Sequence, residues 1–213
     1  MHLYSIAAAN TFRGKPYSLF EKEANLPCAS CGEVMLTKQD IKDISNLKSN
    51  EDLADVFETY LDRLPIERRH SVVHLISELQ KPENKSNTLQ QLAFKVQDRS
   101  FKLRGQNNFE TTFNILSPAL STIDHIQPTS LAGENAKYNL VHMCKSCNEQ
   151  RGNMSYDAFI RINPSLQNNM QKFINSVKRM LLQTKNSQQL ESIKNYLTSV
   201  QGTLNNNGIE VIV

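Results

Sequence analysis

The stretch Thr122-Ile123-Asp124-His125-Ile126-Gln127-Pro128 is followed, after Gly133, by Asn139-Leu140-Val141-His142-Met143-Cys144-Lys145-Ser146-Cys147-Asn148-Glu149-Gln150-Arg151-Gly152-Asn153. Together these two runs hold the densest polar chemistry of the chain. Thr122–Ile126 reads as a short strand, the residues after Asn139 as a second one, and a helix opens around Asn148. Adjacent residues on a strand point to opposite sides, so Asp124 and His125 are free to do different jobs. Asp124 offers a hard oxygen ligand to a divalent cation. His125 is the side-chain type best suited to take a proton from water at neutral pH. Asn148 adds an amide oxygen as a second ligand. Arg151, one helical turn further on, is expected to contact a phosphate, and Lys145 to contact nucleic acid.

Working outward, Cys144 and Cys147 are one of two C-x-x-C pairs; the other is Cys28 and Cys31, and no cysteine is left over. Two such pairs supply the four thiolates that structural zinc takes in tetrahedral geometry. Disulfides fit less well with a chain that shows no secretion signal. A thioredoxin-like redox pair would need no matching second pair. Four protein ligands close the coordination sphere, so this zinc is expected to be structural, stapling an N-terminal knuckle onto the segment that holds Cys144.

On these residues the sequence resembles the HNH endonucleases, members of the ββα-metal nuclease group. The resemblance covers Cys28–Cys31 and about residues 118–155, including the C-x-x-C-N-x-x-R-G context. It implies a hairpin whose first strand ends in Asp124-His125, whose second begins at Asn139, and whose following helix carries Asn148. It also implies roles. Asp124 and Asn148 hold one catalytic divalent ion on the scissile phosphate, His125 activates the attacking water, and Asn139 braces the loop that orients His125. Asn148 stands where the commoner residue is His, which makes both protein ligands oxygen donors and favours Mg²⁺ or Mn²⁺. Asp124 is expected to be needed for cleavage and dispensable for folding.

The expected fold class is α+β: a zinc-stapled ββα catalytic motif within a mainly α-helical protein. Four regions are expected: 1–36 with the zinc knuckle, a helical insert at 37–104, the nuclease core at 105–160, and a helical C-terminal region at 161–213. Within the insert, Thr37 with Asp40 and Ser49 with Asp52 read as helix starts. Phe109–Leu116 reads as a further short strand, and Gly208–Val213 as a terminal one. Leu166, Met170, Phe173, Ile174, Val177 and Leu181 form one apolar helical stripe behind Pro164-Ser165. Leu190, Ile193, Leu197 and Val200 form another behind Ser187. His70 and His74 lie at i, i+4 without the Glu of a metalloprotease helix, and His142 reads as packing or a minor phosphate contact.

The chain has 213 residues and a formal charge of +3. The basic excess falls after the last cysteine, with seven basic and three acidic side chains over 151–213, which suits a polyanionic partner. No apolar run approaches the ~20 residues of a membrane helix. Met1–Asn10, with Ala7-Ala8-Ala9, lacks the basic and apolar segments of a secretion signal. A mature protein beginning at Met1 in the cytoplasm is therefore expected, with signal-less delivery into another cell as the alternative. The resemblance to the HNH endonucleases implies a metal-dependent endonuclease acting on DNA, in phage defence or a mobile element. The alternatives are a DNA-degrading toxin effector and a zinc-stabilised nucleic-acid-binding module that does not cleave. The helical insert is a candidate docking surface for a partner protein.

Overall fold

The computed structural model describes residues 26–96 and 102–213; Met1–Asn10, whose sequence lacks the pattern of a secretion signal, lies outside them. Among the described residues the fold is α+β, mostly helix with one two-stranded sheet. The described residues fall into two compact units. One is Leu36–Leu120, and the other joins the residues up to Met35 with Ser121–Val213. No helix among the described residues is long and apolar enough to cross a membrane.

The Leu36–Leu120 unit is built from α1 (Lys38–Ser45), α2 (Asn50–Thr59), α3 (Ile66–Leu79), α4 (Leu89–Val96) and α5 (Asn108–Leu116). Thr37 and Asp40 start α1 with a reciprocal capping box, and Ser49 caps α2 through the amides of Glu51 and Asp52. Ile41, Phe57, Leu75, Leu79, Leu92, Leu103 and Ile115 fill its core. At its two ends Leu36 and Leu120 form a parallel bridge, with Leu36 N–H donating to Ala119 O at 3.0 Å.

α5 corrects the strand expected over Phe109–Leu116, and it carries the helical unit past the expected limit at 104. Thr111 and Thr112 suggest a strand by their β-branching, yet the Thr111 hydroxyl bonds back to Asn107 O at 2.9 Å within the first helical turn. Asn107 caps the helix by accepting from Glu110 N–H. The buried residues Thr111, Thr112, Ile115 and Leu116 form one helical face.

The second unit carries β1 (Ser121–His125), β2 (Leu140–Cys144), α6 (Lys145–Arg151), α7 (Tyr156–Ile162), α8 (Leu166–Gln183) and α9 (Ser187–Asn206). β1 and β2 are antiparallel, with Ser121 opposite Cys144, Asp124 opposite Val141 and His125 opposite Leu140. Val141, Met143, Tyr156, Phe173, Val177, Tyr196 and Val200 share one buried cluster, so the hairpin lies on the two long C-terminal helices. The Tyr196 hydroxyl donates to Leu140 O at 2.9 Å. The stripes on α8 and α9 are core, as expected, except that Leu190 is half-buried and outside the cluster, and Asn186 rather than Ser187 caps α9.

Gly208–Val213 is not a strand. Gly208, at φ +78°, turns the chain out of α9, and the tail then runs along the helices without a partner strand. Glutamine side chains take the partner's place. Gln171 both donates to Ile212 O (2.9 Å) and accepts from Ile212 N–H (2.8 Å), and Gln201 donates to Val211 O (2.9 Å).

In the helical unit, Glu78 accepts ion pairs from Lys81 and Lys95 and a hydrogen bond from Asn84 Nδ2 at 3.0 Å. These partners, Lys81 first, lower its pKa from 4.5 to about 2. A carboxylate depressed in the folded state stabilises fully above its unfolded pKa, and that stabilisation fades as the pH falls through the folded value. Glu78→Gln is therefore expected to lower the unfolding midpoint at neutral pH, with the gap to wild type closing between pH 4.5 and about 2. Denaturant titrations across that range check it; a gap independent of pH would refute the assignment.

Candidate active site

The Cys28–Cys31 knuckle is shaped by its own backbone. Cys28 N–H donates to Glu33 O at 2.7 Å and Gly32 N–H to Cys28 O at 2.8 Å, while Pro27 and Val34 form an antiparallel bridge. Ala29 N–H donates to His142 O at 3.0 Å and ties the knuckle to β2. Cys144 ends β2 and Cys147 lies in the first turns of α6. The four Sγ atoms come within 4.8 Å of one another. Zn–S bonds of about 2.3 Å around a tetrahedral ion put sulfurs about 3.8 Å apart, and Cys31 and Cys144 are at 4.0 Å.

The surroundings of Cys28 are those of a thiolate. The amides of Ser30, Cys31 and Cys144 all point at its Sγ, at 3.4, 3.5 and 3.3 Å. Hydrogen bonds from Cys144, Cys147 and Cys31 hold this thiol far below its ordinary value. Those from Cys144 and Cys147 bring Cys31 down to about 7. Donor number, donor type and spacing all fit a structural zinc ion.

β1 displays the polar residues on two sides. Thr122 and Asp124 face α6, and His125 faces away with its side chain half-buried. The Asn148 side-chain nitrogen donates to Thr122 Oγ1 (3.1 Å) and Ile123 O (3.2 Å), which leaves its Oδ1 as the unused hard donor. Asp124 is buried. Its Oδ1 accepts from His125 N–H at 2.9 Å and its Oδ2 from Arg151 at 2.6 Å, and each oxygen retains a lone pair. Asp124 and Asn148 thus both offer oxygen, the donor type that a hard divalent cation takes. Burial raises the Asp124 carboxyl above its ordinary value, against the opposing pull of Arg151 and the His125 amide.

Arg151 departs from expectation. It is 1% exposed and turned inward, where no phosphate reaches it. Besides Asp124, it donates to His125 O (2.7 Å) and Ile126 O (2.9 Å), and its guanidinium lies 4.3 Å from the centre of the Tyr156 ring. Three acceptors at the end of β1 take its two terminal nitrogens, and an aromatic face lies against the guanidinium. The same pair overturns the idea that Asp124 is dispensable for folding, since removing it would strand a buried guanidinium. Lys145 stays at the surface, 3.6 Å from Glu149.

The loop between the strands is closed by Asn139, 2% exposed. Its Nδ2 donates to Gln127 O (2.9 Å) and Glu134 O (2.8 Å), and its Oδ1 accepts from Gln127 N–H (2.7 Å). A Cβ on Gly133 would lie 1.8 Å from Gln127 O, so only glycine lets the two arms approach this closely. His125 Nε2 meets Asn135 Oδ1 at 3.1 Å. Thr122, Asn135 and Tyr156 are the partners that sequence patterning did not single out; the one signal for them is proximity to the motif.

His142 is half-buried and packs near Phe173, with ring centres 6.5 Å apart, and its Nδ1 pairs with Ser121 Oγ at 2.9 Å, which suits the packing role. His70 and His74 touch on the exposed face of α3, with Nε2 atoms 3.2 Å apart.

Residues 116–162 match the family model of the HNH endonucleases. That span runs from the end of α5 through the hairpin, α6 and α7, and takes in Asp124, His125, Asn139 and Asn148. No curated protein and no solved structure matches the chain.

Two outcomes follow from this geometry. Purified protein is expected to carry about one zinc per chain, and Cys144→Ser to lose it and unfold at lower denaturant, as metal analysis and unfolding curves will read. Arg151→Met is expected to cost about 3–5 kcal/mol by leaving the Asp124 charge buried and alone. Adding Asp124→Leu to that variant should recover much of the loss; a double variant no more stable than the single one would contradict the pairing.

Proposed function

We propose that the HNH endonuclease segment, residues 116–162, makes this protein a metal-dependent endonuclease that hydrolyses phosphodiester bonds in DNA. The observation that carries the reading is the division of β1. Asp124 and the helix residue Asn148 bring oxygen donors to one side, while the neighbouring His125 keeps an accessible imidazole on the other. Asp124 and Asn148 would hold the catalytic Mg²⁺ or Mn²⁺. When bound, the ion supplies Lewis-acid stabilisation of charge on the phosphate and the leaving oxygen.

The chain's own residues do the rest. His125 takes a proton from the attacking water. Asn139 holds the loop against Gln127 and Glu134, and so keeps the end of β1 in place. Arg151 fixes the Asp124 carboxylate and the His125 carbonyl from below. Lys145, at the surface where α6 begins, is placed to meet the DNA backbone. The four cysteines hold zinc away from the chemistry, since a closed sphere leaves no position for substrate.

Purified protein is expected to nick or cut DNA with Mg²⁺ or Mn²⁺ and to stop when EDTA is added. His125→Ala should slow cleavage by about 10²–10⁴-fold while DNA binding persists, because the base is lost and no phosphate contact is. Cleavage by His125→Ala at the wild-type rate would show that another group is the base. A wild-type protein that binds DNA and cuts no form of DNA or RNA would favour the binding-module alternative.

A further inference from the structure

We propose that Asn135 is a positioning residue: its side-chain oxygen holds the His125 imidazole as the Nε2–H tautomer, so that Nδ1 is the atom that takes the proton from water. This rests on His125 being the base of the reaction. The observation is the contact of 3.1 Å between His125 Nε2 and Asn135 Oδ1. An amide oxygen only accepts, so the nitrogen facing it must carry hydrogen, and in a neutral imidazole the other nitrogen is then bare.

The path by which the loop controls the ring is continuous. Asn139 Nδ2 binds Glu134 O, the carbonyl immediately before Asn135. Asn139 and Gly133 together press that stretch against Gln127, two residues beyond His125. Asn139 touches only backbone, so it sets the loop, and Asn135 is the residue that reaches the ring. From below, Arg151 holds the His125 carbonyl at 2.7 Å. Backbone and ring are thus each held by a hydrogen bond, from opposite ends.

In the reaction, the O–H bond of the attacking water breaks and its proton goes to Nδ1. The freed electron pair forms the new bond to phosphorus, the bond to the leaving oxygen breaks, and that oxygen takes a proton from solvent. With the opposite tautomer Nδ1 would already carry hydrogen and could not take the proton.

Imidazole ¹⁵N shifts of the whole protein, taken well above the ordinary histidine pKa, read the tautomer directly. Wild type should show a bare Nδ1 and a protonated Nε2. In Asn135→Ala the two shifts should draw together as both tautomers are sampled, and kcat should fall about 10–100-fold with KM little changed. Asn135→Asp keeps an acceptor and should retain both the wild-type tautomer and most of kcat, with KM raised by charge repulsion. Asn135→Lys offers only donors and should lose kcat. An Nδ1–H tautomer in wild type, or ¹⁵N shifts and kcat both unmoved in Asn135→Ala, would overturn the proposal. A tautomer that responds to Asn135 in a protein that cleaves nothing would uphold the contact and count against the nuclease reading alone.

Discussion

Four sulfur atoms within 4.8 Å of one another, one of them the target of three backbone amides, put strict demands on the chain around them. Thiolates this close repel unless a cation lies between them, and a cation there draws both cysteine pairs to one point. Cys144 ends β2 opposite Ser121, the first residue of β1, so the site fixes the root of the hairpin. Cys147 is in the opening turns of α6, so the same site sets where that helix starts and which way its face turns. Asn148 and Arg151 follow at one and four residues from Cys147, and both reach β1. The geometry of the candidate catalytic residues is thus tied to the four-cysteine site.

The Asp124–Arg151 pair adds a second level of control. A buried ion pair is a poor source of net stability, because desolvating both charges offsets most of their attraction. What it supplies here is position. Arg151 binds the Asp124 carboxylate and two successive carbonyls after it, and its face rests on Tyr156. One side chain therefore sets the carboxylate, the backbone of His125 and the entry into the loop together. Sliding β1 by one residue would break all of these contacts at once.

The parts of this arrangement legible in the sequence are those set by chemistry at short spacing. Two C-x-x-C pairs announce a four-thiolate site, and Asp124-His125 on a strand announces two faces. The long stripes of α8 and α9 show in their 3.6-residue period. α5 was hidden because Thr111 and Thr112 mimic a strand, while the deciding feature is an Asn107 cap whose effect depends on the turn it closes. The tail from Gly208 was hidden because its hydrogen-bond partners are Gln171 and Gln201, side chains on helices, which no strand pattern encodes. Arg151 misled for a related reason. Its spacing from Asn148 was right, but whether an arginine turns out to a phosphate or in to a carboxylate depends on Asp124, which lies near it only after folding.

The bridge between Leu36 and Leu120 bears on how the chain folds as it is made. Cys28 and Cys31 leave the ribosome well before Cys144 and Cys147. At roughly 5–20 residues per second, the intervening ~110 residues take roughly 5–20 s to appear. The Leu36–Leu120 unit, with its local helix contacts, can fold within that interval and bring its two ends together. The segment that must close when the second pair arrives then shrinks to roughly 30 residues, which lowers the entropy cost of closure by about 1 kcal/mol. The helical unit would serve in that interval as a splint, shortening the loop across which newly made thiolates search for each other.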